Sequence, residues 1–256
     1  MKKYIVIDDY GRTPNVCKNI LKIISDLTII KEVSVMMNFV DNNFHKKLKL
    51  TKTHTSLHIN LTDNIVFKKI NNRNLSFLNL LFLSREKRKY IYDEIDKQIN
   101  SYINIYDLRK IDINSHQHVH AIPWIYSYLL KNNKINKIRY SNEKIIFAFN
   151  NMNIFKFIRN VIALVVLKIL NLFNKKKTNN KFFGILFTNN MNPKIIKHIL
   201  YYNKCSNLHI LLHPGRALKN EKNFFLNNNF YKYFISENRK KEMKALYRHN
   251  ENINNN

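Results

Sequence analysis

The 256-residue sequence predicts an α/β protein in which helices alternate with the strands of a mostly parallel sheet. Two observations predict this fold class. Short apolar runs of strand length end at, or carry, polar residues. Between them lie stretches of helical period: residues 15–24 follow the first run, and isoleucine recurs every fourth residue over 91–103, ahead of the third run.

Four predicted strands bring candidate chemical groups to one edge of that sheet. They cover residues 4–7, 57–61, 111–113 and 210–212. Asp8 and Asp9 follow the first strand, His116 follows the third and His213 follows the fourth. Ligand sites of parallel sheets form at the carboxyl ends of the strands, so we expect these side chains to lie together. His58 lies within the second strand, on the face opposite its leucines, and can point to the same place.

Length and composition are those of an ordinary globular protein. A hydrophobic content of 45%, with 17 Phe and 14 Tyr, can fill a core. We expect one domain over residues 1–249 and a polar, disordered tail over 250–256. Cys17 and Cys205 form no disulfide framework, and the first apolar run is too short for a secretory signal. We therefore expect a cytoplasmic protein.

The chain is strongly basic, with a formal net charge of +27 and a pI near 10.0. Such a charge is typical of nucleic-acid binding. Here the charge is mostly Lys, is spread along the chain and accompanies heavy use of Asn and Ile, a pattern typical of an AT-rich coding sequence. We therefore expect no nucleic-acid partner, although a basic surface attracts anionic lipids and acidic glycans.

Residues 154–173 form the most apolar stretch of the chain, and Lys156, Arg159 and Lys168 interrupt it. Charges inside a span of ~20 residues are costly, so the stretch is not expected to cross a membrane. A largely buried helix is the favoured interpretation. The alternative is a helix in a membrane interface, where the lysines at 175–177 would add attraction to anionic lipid and hold the protein at the inner membrane through 154–177.

Three histidines, His116, His118 and His120, lie within five residues after the third strand. A metal ion needs further ligands from elsewhere in the chain, and Asp8-Asp9 and His58 supply candidates. Carboxylate and imidazole ligands with an open coordination position suit hydrolysis, because the ion acidifies a water and polarises the carbonyl that is attacked. A second carboxylate beside that water can act as the general base.

Four motifs resemble, in order and spacing, those of YdjC-like deacetylases. Residues 8–11 resemble DDFG, 57–62 resemble the end of GLHLNLT, 112–123 resemble DxHxHVHxxP, and 211–215 resemble LMxHPG. Weaker matches occur at residues 34–38, at Glu94 with Gln98, and at Ser236, Arg239, Glu242 and Leu246. The resemblance therefore spans roughly residues 4 to 246.

The resemblance implies a deformed (β/α) barrel that binds one divalent ion, commonly Mg²⁺, with Zn²⁺ as the alternative. The implied reaction is hydrolysis of the N-acetyl amide of acetylated sugars such as chitooligosaccharides. His118 and His120 are interpreted as contacts to the substrate or behind the metal ligands. A homodimer is compatible with this picture.

Carried over position by position, the resemblance implies that Asp9, His58 and His116 bind the metal ion and that Asp8 is the general base. Which of the two aspartates takes which role stays open. His213 is implied as the acid that protonates the departing amine, and the alternative is that it only caps its strand.

The sequence departs from the family pattern at Ser56, where glycine is usual, at Tyr10, where phenylalanine is usual, and at Arg12, where an apolar residue is common. The loop after Thr62 also has few glycines and prolines, a departure that concerns the substrate pocket and none of the proposed ligands. Two alternatives follow: a deacetylase of a lipid-linked sugar at the membrane surface, and a non-catalytic carbohydrate-binding relative.

Overall fold

A computed structural model describes residues 2–63, 75–141, 143–146, 154–174, 181–202 and 207–254. The strands in these ranges are Lys2–Tyr10 (β1), Ile30–Val35 (β2), His54–Ile59 (β3), Ile111–Ser115 (β4), Ile135–Ile138 (β5), Lys181–Phe183 (β6) and Asn207–Leu212 (β7). The α-helices are Pro14–Asp26 (α1), Asn42–Leu50 (α2), Phe77–Leu81 (α3), Arg85–Tyr106 (α4), Pro123–Lys131 (α5), Ile154–Leu172 (α6), Pro193–Tyr202 (α7), Asn228–Phe234 (α8) and Glu237–Asn254 (α9). Two 3₁₀ helices span His116–Ala121 and Lys219–Phe224.

The seven strands of the described residues form one sheet, in which every pair is parallel. Their order is β5-β4-β3-β2-β1-β7-β6, and the sheet curls into a half-barrel with helices outside. The predicted deformed (β/α) barrel is therefore confirmed. Because all strands run the same way, their carboxyl ends share one rim, and the rim carries the site.

Helix α1 shows how local sequence shapes this rim. Thr13 caps the helix by accepting a hydrogen bond from the Val16 amide, and Pro14 begins the helix where a backbone donor is not needed. The turn from β1 into α1 requires Gly11. Its φ is +89°, and a Cβ there would lie 2.1 Å from the Met36 carbonyl oxygen.

Helix α4 confirms the predicted isoleucine face. Ile91, Ile95 and Ile99 are buried against the sheet. Gln98 lies on the same face and bonds the Asn60 backbone twice: it accepts from the amide at 3.0 Å and donates to the carbonyl at 3.0 Å. The helix thereby holds the chain in place where it leaves β3.

Helix α6 forms where the apolar stretch predicts a helix, but only one of its faces is buried. Leu164 and Leu167 pack inward, whereas Ile158 and Ile162 are about half exposed, at 48% and 59%. The interpretation as a largely buried helix is therefore wrong for the outer face. None of the helices in the described ranges combines the length and the hydropathy that a membrane span requires.

Helix α9 runs to Asn254 and therefore enters the range 250–256, for which the sequence predicts a disordered tail. That boundary between domain and tail stays a prediction. Residues 255–256, the lysines at 175–177 and most of the loop after Thr62 lie outside the described residues.

Candidate metal centre

The end of β1 brings Asp8 and Asp9 to the rim. Both carboxylates are buried, with exposures of 2% and 0%. Asp9 has a φ of 72°, in the left-handed region that L residues other than Asn and Asp rarely adopt. Gln117 and His118, after the end of β4, share this conformation with φ values of 54° and 55°. This conformation is strained at a residue such as Gln117, and strained backbone concentrates at functional sites because the surrounding structure must hold it.

Three predicted ligands converge at this point of the rim. Oδ1 of Asp9 lies 3.4 Å from Nε2 of His58 and 3.4 Å from Nδ1 of His116. The ligand atoms of the three residues all lie within 4.8 Å of one another. Two ligands about 2.1 Å from one ion lie ~3.0 Å apart at a right angle and ~3.4 Å apart at the tetrahedral angle. The spacing therefore fits a single divalent ion.

The hydrogen bonding of these atoms fits an ion as well. Within the part of the chain that the structure describes, Oδ1 of Asp9 and Nε2 of His58 are buried without a hydrogen-bond partner. A buried polar atom without a partner costs free energy, so such atoms are rare unless a water or an ion meets them. These two atoms point into the same space, which a cation would share with His116.

Asn114 sets the tautomer of His58. Its amide nitrogen donates to Oγ of Ser34 and to Oγ of Ser56, at 2.9 Å each. Its amide oxygen must therefore accept, and it pairs with Nδ1 of His58. The proton of the neutral ring consequently lies on Nδ1, and Nε2 presents its lone pair to the ion. Asn114 lies within the third motif, residues 112–123, but the sequence analysis assigned it no role.

The other oxygen of Asp9 is held by Arg239. Nη1 of Arg239 donates to Oδ2 of Asp9 at 2.9 Å, and the guanidinium stacks on the Phe234 ring, 4.0 Å from its centre. Burial alone would raise the pKa of Asp9, but Arg239 and the two nearby histidines outweigh it and hold the pKa well below its ordinary value. Asp9 is therefore ionised and leaves one oxygen free for a metal ion.

Asp8 pairs with a residue that sequence reasoning missed. Nη1 of Arg139, just beyond β5, donates to both oxygens of Asp8, at 3.1 and 2.8 Å, and Nη2 donates to Oγ of Ser34 at 2.9 Å. Burial opposes ionisation of Asp8, but Arg139 overrides it and lowers the pKa far below its usual range. Asp8 also lies 3.7 Å from Nδ1 of His58. The two aspartates thus have different partners, and Asp9 is the one that faces both imidazoles.

His213 follows β7 and faces the same rim. Its backbone amide donates to Oε2 of Glu242 at 2.6 Å, and its Nδ1 lies 4.0 Å from the same oxygen. Burial lowers the pKa of His213 to about 4 and raises the pKa of Glu242 to about 7. The imidazole is therefore neutral near pH 7 before a substrate binds, and the carboxylates of Asp9 and Asp8 are the charges that favour its protonated form.

The other two histidines of the cluster do not join the three ligands. Both nitrogens of His120 are engaged: Nδ1 lies 2.7 Å from Oγ of Ser115, and Nε2 lies 2.9 Å from the carbonyl oxygen of Arg139. Nδ1 of His118 lies 3.0 Å from Oγ of Ser141. His120 therefore joins the end of β4 to Arg139, behind the metal ligands.

Two departures from the family motifs have structural explanations. The Ser56 hydroxyl accepts a hydrogen bond from the Asn114 amide and donates one to Oε1 of Glu32 at 2.7 Å. It therefore helps to hold the amide that orients His58. Arg12 is 1% exposed, forms an ion pair with Asp63 and stacks on Phe39 at 4.0 Å. A buried cation stays buried only with such partners.

The comparisons with known proteins agree with the motifs. The sequence model of the YdjC-like protein family matches residues 4–250. The chain belongs to the YdjC-like protein family. No curated protein matches it in a sequence search.

Among solved structures, the chain is similar to a crystal structure from Enterococcus faecalis V583, described provisionally as a cellobiose-phosphate cleavage protein. The identity is 14% and the TM-score is 0.56, over 97% of this chain and 95% of the other. A mutant of a CE4 family pseudoenzyme with restored activity aligns at 10% identity and a TM-score of 0.37, over 96% of this chain and 62% of the other. The first similarity supports the fold of this YdjC-like chain.

Proposed function

We propose that this YdjC-like protein is a metal-dependent hydrolase that removes the acetyl group from an N-acetylated sugar. The observation that carries the proposal is the set of buried ligand atoms on Asp9, His58 and His116, with a second ionised carboxylate, Asp8, beside them. The resemblance of the four motifs to those of carbohydrate deacetylases supports the substrate class.

A divalent ion held by Asp9, His58 and His116 would acidify a water and polarise the acetyl carbonyl. Asp8 takes the proton of the attacking water, and Arg139 keeps that carboxylate ionised and oriented. His213 protonates the departing amine. Its pKa of about 4 rises as negative charge develops on the carbonyl oxygen, so the ring takes up a proton from solvent before it donates one to the amine, and the Asp9 carboxylate favours the cation.

The ligand set bears on the metal. Mg²⁺ prefers oxygen ligands, whereas imidazole suits Zn²⁺ and other first-row transition ions. Two imidazoles and one carboxylate therefore favour a transition ion over the Mg²⁺ that the family resemblance suggests. The activity assay must therefore include Mg²⁺ as well as transition ions.

The test is acetate release from a panel of N-acetylated monosaccharides and oligosaccharides, with Mg²⁺, Zn²⁺ or Mn²⁺ and with a chelator. We expect release that the chelator abolishes and that a His116→Ala variant lacks. The matched control is His54→Ala, which removes a histidine at the start of β3 whose side chain is 57% exposed. Sugar binding without acetate release under any metal would instead support a non-catalytic relative.

A further inference from the structure

The outer face of α6 carries a continuous apolar stripe. Its six members are spaced three or four residues apart and are 41–74% exposed: Ile154, Ile158, Ile162, Val165, Ile169 and Leu172. This spacing aligns them along one side of the helix. A single exposed isoleucine is ordinary, but a stripe along a whole 19-residue helix marks an interaction surface.

The opposite face of α6 holds the helix firmly to the barrel. Leu164 and Leu167 pack in one cluster with Ala121, the last residue of the 3₁₀ helix that begins at His116. Asn160 donates to the Leu186 carbonyl at 3.0 Å, and Asn174, two residues after the helix, donates to the Ala121 carbonyl at 3.2 Å. The stripe is therefore presented by a helix that packs on the segment carrying a candidate metal ligand.

The sequence on both sides of α6 carries charge of one sign. Residues 144–220 contain thirteen Lys or Arg and no Asp or Glu. Three of these cations, Lys156, Arg159 and Lys168, belong to α6, and three more follow it in sequence at 175–177. An apolar layer with anionic groups at its surface matches both the apolar stripe and the basic charge.

We propose that α6 lies in the surface of an anionic membrane, parallel to the bilayer plane, with the outer stripe at the boundary of the acyl chains. The flanking Lys and Arg then reach the lipid headgroups, where each adds attraction. A second copy of the chain fits less well. It would bring a second charge of +27, and Lys is depleted at protein interfaces.

Docking through α6 has a consequence for the substrate, and this consequence rests on the proposed deacetylase function. Helix α6 packs on the 3₁₀ helix that begins at His116, so docking would place the rim of the barrel close to the lipid surface. The surface would then present an N-acetylated sugar carried on a lipid. Docking itself requires no catalytic activity and is tested without a substrate.

The test is co-flotation of the full chain with vesicles of phosphatidylcholine, with or without about one-third phosphatidylglycerol. Salt is varied from ~0.01 M, where the Debye length is about 30 Å, to ~0.5 M. The variant carries Ile158→Gln, Ile162→Gln and Ile169→Gln, which remove apolar surface without changing charge. The matched control is Leu50→Gln in α2, at a leucine that is 80% exposed. Circular dichroism and thermal unfolding establish that both variants fold.

We expect the wild type and the control to float with anionic vesicles at low salt and poorly with neutral ones. The triple variant should bind on the order of a hundredfold more weakly, since three side chains no longer enter the apolar layer. Equal binding by the triple variant would overturn the proposal, because charge alone would then explain flotation. No binding by the wild type would overturn it too, as would a wild-type dimer that the triple variant converts to monomer.

Discussion

Replacing Asn114 with leucine tests how the site prepares His58 for a metal ion. Leucine has a similar volume but removes the acceptor of the Nδ1 proton and both donors to Ser34 and Ser56. The ring then loses the hydrogen bond from Nδ1 that fixes its tautomer. Loss of such an outer contact lowers metal affinity about 10- to 100-fold, or ~1.4 to 2.7 kcal/mol. Titration calorimetry with Zn²⁺ at pH 7 measures the change.

Two controls separate this effect from general damage to the fold. Asn114→Asp keeps an acceptor for His58 and should retain most of the affinity. Ser56→Ala removes one acceptor of the amide but leaves the His58 contact in place, so we expect a loss of less than about threefold. The leucine variant also leaves buried hydroxyls with fewer partners, at a cost of ~1–3 kcal/mol in unfolding free energy. A folded Asn114→Leu protein with the wild-type dissociation constant would refute the reasoning.

Three further outcomes are expected. His116→Ala should keep the fold but lose bound metal and activity; unchanged metal content by elemental analysis would remove His116 from the ligand set. Asp8→Asn should still bind metal while its turnover falls on the order of 10²-fold or more, and near-normal turnover would mean that Asp8 is not the base. His45 is fully buried, and burial lowers its pKa to about 4, against 6.5 in the unfolded chain. The unfolded state therefore gains the proton first, and stability present above pH 6.5 is lost as the pH falls toward 4, by about 3 kcal/mol from this group. His45→Phe should flatten that fall in urea unfolding measured across the range; parallel losses in both proteins would assign the acid sensitivity to other groups.

The strands that the sequence predicted are those with strong apolar runs. β1 and β7 each contain at least three buried apolar residues, and β3 and β4 each contain two that alternate with polar residues. β5 has four residues and β6 has three, too few for a pattern. Such short strands are stable only because a neighbouring strand already offers its hydrogen-bonding edge, which is a property of the assembled sheet.

The partners of the two aspartates, like the short strands, could not be predicted from local sequence. Arg139 pairs with Asp8 across 131 positions of the chain, and Arg239 pairs with Asp9 across 230. Arg139 had a local signal, since it directly follows β5, but that strand was not predicted. Arg239 lay in a weak motif near the carboxyl terminus, with no indication of which group it meets. Charge pairing at such separation depends on how α9 and β5 pack, and the sequence pattern does not encode that locally.

The sequence by itself determined the α/β class and which polar residues end the predicted strands, because alternation and apolar runs are local consequences of burial. It also indicated Asp9, His58 and His116 as a candidate ligand set, because parallel strands end at one rim. Only the tertiary structure decided which oxygen of Asp9 faces the imidazoles, which nitrogen of His58 is free, and that the outer face of α6 is exposed. Each of these depends on side chains that reach the same point from distant parts of the chain, and packing alone sets their distances.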